Sequence, residues 1–357
     1  MDKHDPFNHP LACININERM RKAPIYPSPS STMDSSNQDV ARELPGIVRL
    51  YKDGHVERLR DTDYVPPSSN LLPGLSSKDV ATTLGPDINI SARLYLPKLN
   101  HPKQKFPLLV FFHGGAFCIS SPFTVKYHSY LTKLVAEANV VAVSVNYRKA
   151  PEHPIPVAYE DSWAALNWIV SHCDSNGPEP WLNDHADFGR MFLAGESAGA
   201  NIAHNMAIAA GDSESGLGIG LLGIALVHPY FWGSDPIGSE GIDPESKASV
   251  DRLWPFICPS NPDNDDPRVN PVANDGPSLV GLGCKRVLVS VAEKDVLKER
   301  GWLYYQALSR SGWMGVVEID ETEGEGHGFH LYDLECDKAK DLIKGLAAFF
   351  NRDMPFL

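Results

Sequence analysis

With 357 residues, of which 43% are hydrophobic and 22% charged, the chain is long enough to bury a large core and has the composition of an ordinary globular protein. Its formal net charge of −13 argues against nucleic acid and anionic membrane surfaces as partners, and no apolar run approaches the roughly 20 residues that span a bilayer. Six scattered cysteines, at positions 13, 118, 173, 258, 284 and 336, form no C-x-x-C pair, which speaks against zinc and redox motifs and fits reduced thiols in a cytoplasmic protein.

Residues 1–35 are rich in Pro, Ser and Asn without a sustained period, and read as a disordered extension ahead of one domain spanning 36–357. Asp2 and Asp5, with no apolar stretch behind them, argue against a secretory signal. Structure is expected from near Ala41, with two short strands at 47–51 and 55–59 flanking a Lys52-Asp53-Gly54 turn, then a polar loop to about Ser77. From residue 88 to 96, Ile88, Ile90, Ala92, Leu94 and Leu96 alternate with Asn89, Ser91, Arg93 and Tyr95, a strand with one buried face.

Five continuous apolar runs follow, at 107–112, 140–145, 191–194, 221–227 and 287–291. Strands covered on both faces look like this. Helical patterns at 124–137, 157–172, 198–210 and 297–310 lie between them, and a final strand at 316–319 precedes a helix at 334–350. Such alternation predicts an α/β fold with a mostly parallel sheet and helices on both faces. The stretch 232–284, rich in Pro, Asp, Asn and Gly, breaks the pattern and is expected to cover the sheet's carboxyl edge as an insertion, with one helical piece near 247–257.

Gly195-Glu196-Ser197-Ala198-Gly199 is a G-x-S-x-G sequence between an apolar strand and a helix, the context a nucleophile elbow requires. A serine hydroxyl needs a base at neutral pH. His327, in the loop Gly324-Glu325-Gly326-His327-Gly328-Phe329, follows the last strand and completes the chain order serine, acid, histidine; His330, close by, reads as a packing or capping residue. Asp295, after the penultimate strand, is the expected acid, ahead of Glu293 and of the 263–266 acidic run, which reads as turn-forming. His113-Gly114-Gly115-Ala116 follows the strand at 107–112, so Gly114 and Gly115, with Ala198, are expected to donate N–H groups to an oxyanion, and His113 to serve as a structural hydrogen-bonding residue. Arg148, Glu152, Glu160 and Asp161 form a charged cluster expected to pair as scaffold.

Together with Tyr147-Arg148-Lys149-Ala150-Pro151-Glu152-His153-Pro154, Tyr159-Glu160-Asp161-Ser162-Trp163 and Gly326-His327-Gly328-Phe329-His330, these motifs resemble the plant carboxylesterase family within the hormone-sensitive-lipase-like α/β-hydrolases. The resemblance runs from about Met33 to the C-terminus, and Ala116 departs from a third glycine that many relatives have. It implies an α/β-hydrolase fold with a small cap formed by the N-terminal segment and the 232–262 insertion, and a triad of Ser197, Asp295 and His327 acting on small-molecule esters without metal or organic cofactor. Relatives include 2-hydroxyisoflavanone dehydratases and gibberellin receptors, the latter without the histidine; its presence here disfavours a receptor but leaves elimination open. Phe117, Trp232 and Trp254 are the expected substrate-binding aromatics.

Overall fold

The 107–112 run is apolar at every position, so it can sit only where both faces of a sheet are covered. The computed structural model, which describes residues 39–68, 72–83, 89–212 and 216–352, places it at the centre. This strand, β6 (Phe106–Phe112), sends Leu108, Val110 and Phe112 into one core and Leu109 and Phe111 into another, the period-two alternation of a pleated strand. The 1–35 extension lies outside the described residues, as does Ile88.

Eight strands form the main sheet: β4 (Ser76–Thr83), β5 (Asn89–Leu96), β6, β7 (Val141–Asn146), β8 (Ala186–Glu196), β9 (Gly223–Val227), β10 (Arg286–Ala292) and β11 (Val316–Thr322), in the order β11-β10-β9-β8-β6-β7-β5-β4. From β7 to β11 the neighbours are parallel; β4 and β5 add an antiparallel edge. Helices α1 (Val125–Ala138) and α8 (Asp337–Asn351) cover one face, their buried Leu131, Leu134, Ile343 and Leu346 sharing a core with Leu109 and Phe111. Helices α2 (Val157–Val170), α4 (Ala198–Ala210) and α7 (Lys298–Arg310) bury residues in the other core. A short α3 (Pro180–His185) leads into β8.

A separate three-stranded antiparallel sheet, β1 (Val40–Leu44), β2 (Val48–Tyr51) and β3 (Val56–Arg58), is tied down by two arginines. Arg42 donates to Pro255 O (2.9 Å) and lies over the Phe256 ring, which joins the sheet to the insertion. Arg58 donates to Cys118 O (2.7 Å) and pairs with Glu152 (2.7 Å), which joins it to the loop after β6.

The insertion carries a 3-10 turn (Gly238–Gly241), α5 (Pro244–Asp251) and α6 (Leu253–Ile257). It is organised around Trp232, whose indole N–H donates to Asp251 (2.7 Å) while Arg300 of α7 lies over the ring. Among the 263–266 acids, Asp263 and Asp266 each accept a backbone N–H two residues on, turn-forming contacts of the expected kind. Cys118, Cys173, Cys258, Cys284 and Cys336 carry no disulfide, and no helix among the described residues is long and apolar enough to cross a membrane.

Candidate active site

From β6 the chain crosses to β7 on one side, then returns to β8 on the other. The loops after β6 and β8 therefore diverge, which opens a crevice at the strands' carboxyl ends, where open α/β sheets bind ligands. The sequence motifs converge there.

Ser197 makes the whole turn between β8 and α4, at φ 55° and ψ −118°. A non-glycine residue in this region is strained and persists only where its surroundings hold it. Its N–H donates to Val227 O (2.9 Å) and its carbonyl accepts from Tyr230 N (3.1 Å). A Cβ on Gly195 would overlap the Gly199 and Ala200 backbone, and one on Gly199 would overlap the carbonyls of Phe112 and His113. Gly195 must be glycine because the elbow folds back onto the first turn of α4, and Gly199 because that turn packs backbone to backbone against the end of β6.

His327 arrives from the loop after β11 with its Nε2 3.0 Å from Ser197 Oγ and its Nδ1 2.7 Å from Asp295 Oδ2. Asp295 is 4% exposed, and its Oδ1 accepts the Leu297 N–H at 3.0 Å, so neither oxygen is free to swing. Burial works against the Asp295 charge, but the imidazole and the Leu297 N–H outweigh it and hold the carboxyl below its usual range. For His327, whose side chain is 38% exposed, desolvation by the surrounding protein pulls downward, and Asp295 and then Glu196 overcome it, raising the imidazole to about 9. Glu293, the rival acid, instead accepts the Gly324 N–H (2.6 Å) and braces the histidine loop.

The loop after β6 departs from expectation in one respect. The Gly114 N–H already donates to Tyr127 Oη at 2.7 Å, so Gly114 is not an oxyanion donor. Gly115, Ala116 and Phe117 then follow with φ of 103°, 54° and 58°, winding the chain tightly, while the Cys118 and Ile119 N–H groups close on Gly115 O at 2.9 Å. The N–H groups of Gly115, Ala116 and Ala198 find no acceptor among the described residues. The H-G-G pattern locates the loop but cannot say which N–H turns inward; the left-handed φ at Ala116 is invisible in sequence. His113 is structural, its Nδ1 against Gly114 O (2.7 Å) and its ring stacked on Tyr147.

The aromatic expectations also need correction. Phe117, Trp232 and Trp254 are all 0% exposed. Phe117 packs among Tyr147, Tyr159 and Tyr230, and Trp254 donates to Asn261 O (3.1 Å) as Trp232 does to Asp251. All three are packed into the core, with no surface exposed at the crevice in this structure. Arg148 pairs with Asp161 as expected, Glu152 pairs instead with Arg58 of β3, and Glu160 is exposed. His330 is fully buried against Tyr130 and His228 and caps no helix.

Three residues at the site escaped the sequence reading: Glu196, Tyr127 and His228. Glu196, His228 and His327 bring one ligand-capable atom each within 4.8 Å, a spacing open to a metal. The donor chemistry does not fit one. His228 Nδ1 accepts the Gly328 N–H at 3.0 Å, so the neutral ring carries its proton on Nε2 and has no lone pair to offer. Burial lowers His228 to about 4 and keeps it neutral.

The alpha/beta hydrolase fold family profile matches residues 109–331. A probable carboxylesterase 2 of Arabidopsis thaliana is 48% identical over 320 residues, 90% of this chain and 99% of that protein. A 2-hydroxyisoflavanone dehydratase of Glycyrrhiza echinata is 45% identical over 326 residues, covering 90% and 99%. Among solved structures, an esterase of Pyrobaculum calidifontis superposes with a TM-score of 0.64 at 27% identity, over 77% of this chain and 84% of its own. Elbow, histidine loop and sheet order thus agree with these relationships: the chain belongs to the alpha/beta hydrolase fold family, in the group that holds the plant carboxylesterases and 2-hydroxyisoflavanone dehydratases.

Proposed function

We propose that the protein is a serine carboxylesterase that cleaves small-molecule esters, short-acyl or specialised-metabolite, through an acyl-enzyme. The observation that carries this is the continuous line Ser197 Oγ, His327 Nε2, His327 Nδ1, Asp295 Oδ2, at 3.0 and 2.7 Å, together with the N–H groups of Gly115, Ala116 and Ala198, which have no acceptor among the described residues. In this reading neutral His327 takes the Ser197 proton as Oγ attacks the ester carbonyl. Asp295 stabilises the imidazolium that results. Gly115, Ala116 and Ala198 donate to the developing oxyanion, an interaction stronger in the transition state than in the ground state. The imidazolium then protonates the departing alcohol, and the same base activates water to release the acid. Each step uses only side chains and backbone of this chain, which supports a cofactor-free reaction; the compartment assigned in this reading is the cytoplasm.

A second reading is supported by the dehydratase relative: an elimination in which His327 removes a proton beside an oxyanion-stabilised carbonyl. One screen separates the two, with purified protein tested against p-nitrophenyl esters of graded chain length and against a 2-hydroxyisoflavanone. Ser197→Ala is expected to lower ester turnover by several orders of magnitude, since triad members act as a unit. Ester hydrolysis that survives in this variant overturns the assignment. A fluorescent fusion tests the compartment, with chloroplast import as the contrary result.

A further inference from the structure

With its N–H committed to Tyr127, Gly114 must be glycine for a reason other than oxyanion binding, and Glu196 supplies it. A Cβ at Gly114 would overlap Glu196 Oε2 and crowd the Tyr127 hydroxyl. The glycine makes room for a chain of contacts. The Gly114 N–H donates to Tyr127 Oη (2.7 Å), the Tyr127 O–H donates to Glu196 Oε2 (2.5 Å), and Glu196 Oε1 lies 3.5 Å from His327 Nε2. That nitrogen is the one facing Ser197 Oγ. Glu196 itself is 3% exposed, a buried carboxylate that the hydrolytic steps do not use.

We propose that Glu196 is a positioning residue that, anchored through Tyr127 to the loop after β6, presents a second negative charge to the proton-carrying nitrogen of His327 and sets the pH range in which the base is free. The proposal rests on the serine-hydrolase reading and deepens it.

The other groups around the ring do not supply this charge. Asp295 stands at the opposite nitrogen. His228, from the loop after β9, has its ring 5.7 Å away and is neutral; His330 is driven further down by burial. Lys126 of α1 is turned to Asp61 (2.8 Å) and reaches His327 only through its effect on Glu196. Lys294 donates to Gly324 O, and Glu325 is paired with Lys338 at 3.2 Å. Among the described residues, Asp295 and Glu196 are thus the two anions in contact with the imidazole.

At 3.5 Å the Glu196 contact is too long for a good hydrogen bond and acts by charge. An opposite charge at this range moves a pKa by roughly one to three units. Burial raises the Glu196 carboxyl above its ordinary range, against the pull of His327, Tyr127 and Lys126, which favour its charged form, and the imidazole is raised to about 9. The base is therefore occupied by a proton at neutral pH. In the transition state, however, the imidazolium has a counter-charge at each nitrogen. Because Tyr127 also holds the Gly114 N–H, the same contact links the position of the oxyanion loop to that of the base.

The test is kcat/KM against pH for an activated ester, with wild type, Glu196→Gln and Glu196→Asp. In wild type the rising limb should have its midpoint well above 7, toward about 9. Glu196→Gln, which removes charge at constant shape, should move it to lower pH by about one unit or more. The two profiles should cross: below the midpoint more of the variant's imidazole is free, above it the weaker base is slower. Glu196→Asp keeps the charge and should stay close to wild type. A midpoint unmoved in the glutamine variant, or moved equally by aspartate, overturns the proposal. Should the variants fail to fold, wild type decides alone, since a midpoint at or below the ordinary imidazole value of about 6.5 also overturns it. A wild-type protein without any ester turnover contradicts the hydrolase reading instead, and the two failures are distinguishable.

Discussion

At Gly199 the missing side chain permits the elbow. The carbonyls of Phe112 and His113 occupy the space a Cβ would need, and they belong to the central strand and the start of the loop proposed to hold the oxyanion. Backbone of this kind cannot swing aside as a lysine tip can. Gly199→Ala is therefore expected to destabilise the fold by about 1–3 kcal/mol, the usual cost of overpacking, and to lower turnover further by displacing Ser197 from His327. Gly220 is the control, with nothing within 4 Å of where a Cβ would stand and an ordinary φ. Gly220→Ala should change stability by no more than about 0.5 kcal/mol. Thermal unfolding and active-site titration with a phosphonate check both; a Gly199→Ala protein as stable and as reactive as wild type would show that the elbow can relax. The same scale explains what the sequence concealed. Ser197, Asp295 and His327, which the structure brings into one hydrogen-bonded line, could be picked out from their order and flanking elements. Glu196 fills the free position of G-x-S-x-G, and Tyr127 lies in an amphipathic helix where a buried aromatic is ordinary, so neither carried a signal.

Elements were legible in proportion to their burial. β6 and β9 are apolar along their length, β7 and β10 are mostly apolar, and all four stood out as runs. β1, with the sequence VAREL and four exposed residues, and β4, with SSKDVATT at the antiparallel edge, have no apolar period, and backbone pairing alone defines them. α3 has six residues, too short for helical periodicity to register. The insertion was recognised as a break in the alternation, but aromatic residues inside it reveal nothing about which way they point. Trp232 and Trp254 turned inward because their indole N–H groups found Asp251 and Asn261 O. What fixes the insertion is an ion pair that sequence could not show. Arg300 of α7 meets Glu240 of the 3-10 turn at 2.7 Å, with side-chain exposures of 5% and 0%, and also donates to Gly233 O and Asp235 O. Removing one partner leaves the other charge buried and uncompensated, at a cost of about 3–5 kcal/mol. Arg300→Ala and Glu240→Ala should each lower stability by that order in urea unfolding, and the double variant should lose clearly less than their sum. Additive losses would mean the two side chains act separately.

For the whole molecule, the site is a product of connectivity: the ends of β6, β8, β10 and β11 each deliver one part of the chemistry to the same crevice. The N-terminal sheet leans on that crevice from outside. Arg58 holds Cys118 O in the loop after β6, and Arg42 holds the carbonyls of Pro255 and Phe256 in α6 and just before its end. This defines where shortening the chain begins to matter. Residues 1–32 have no sustained apolar period in sequence and lie outside the described residues. Deleting 1–32 should leave the Tm and ester turnover nearly unchanged. Deleting 1–60 takes both arginines and all three strands. It should lower the Tm and cut kcat/KM several-fold, because the loop after β6, proposed to hold the oxyanion, loses the guanidinium that holds Cys118 O. The pair of truncations separates two accounts of the N-terminus. Equal damage from both would mean that residues 1–32 dock on the fold and that the boundary near Met33 is misplaced. Damage from neither would mean that the arginine contacts are dispensable and that the oxyanion loop keeps its left-handed course through Gly115, Ala116 and Phe117 unaided.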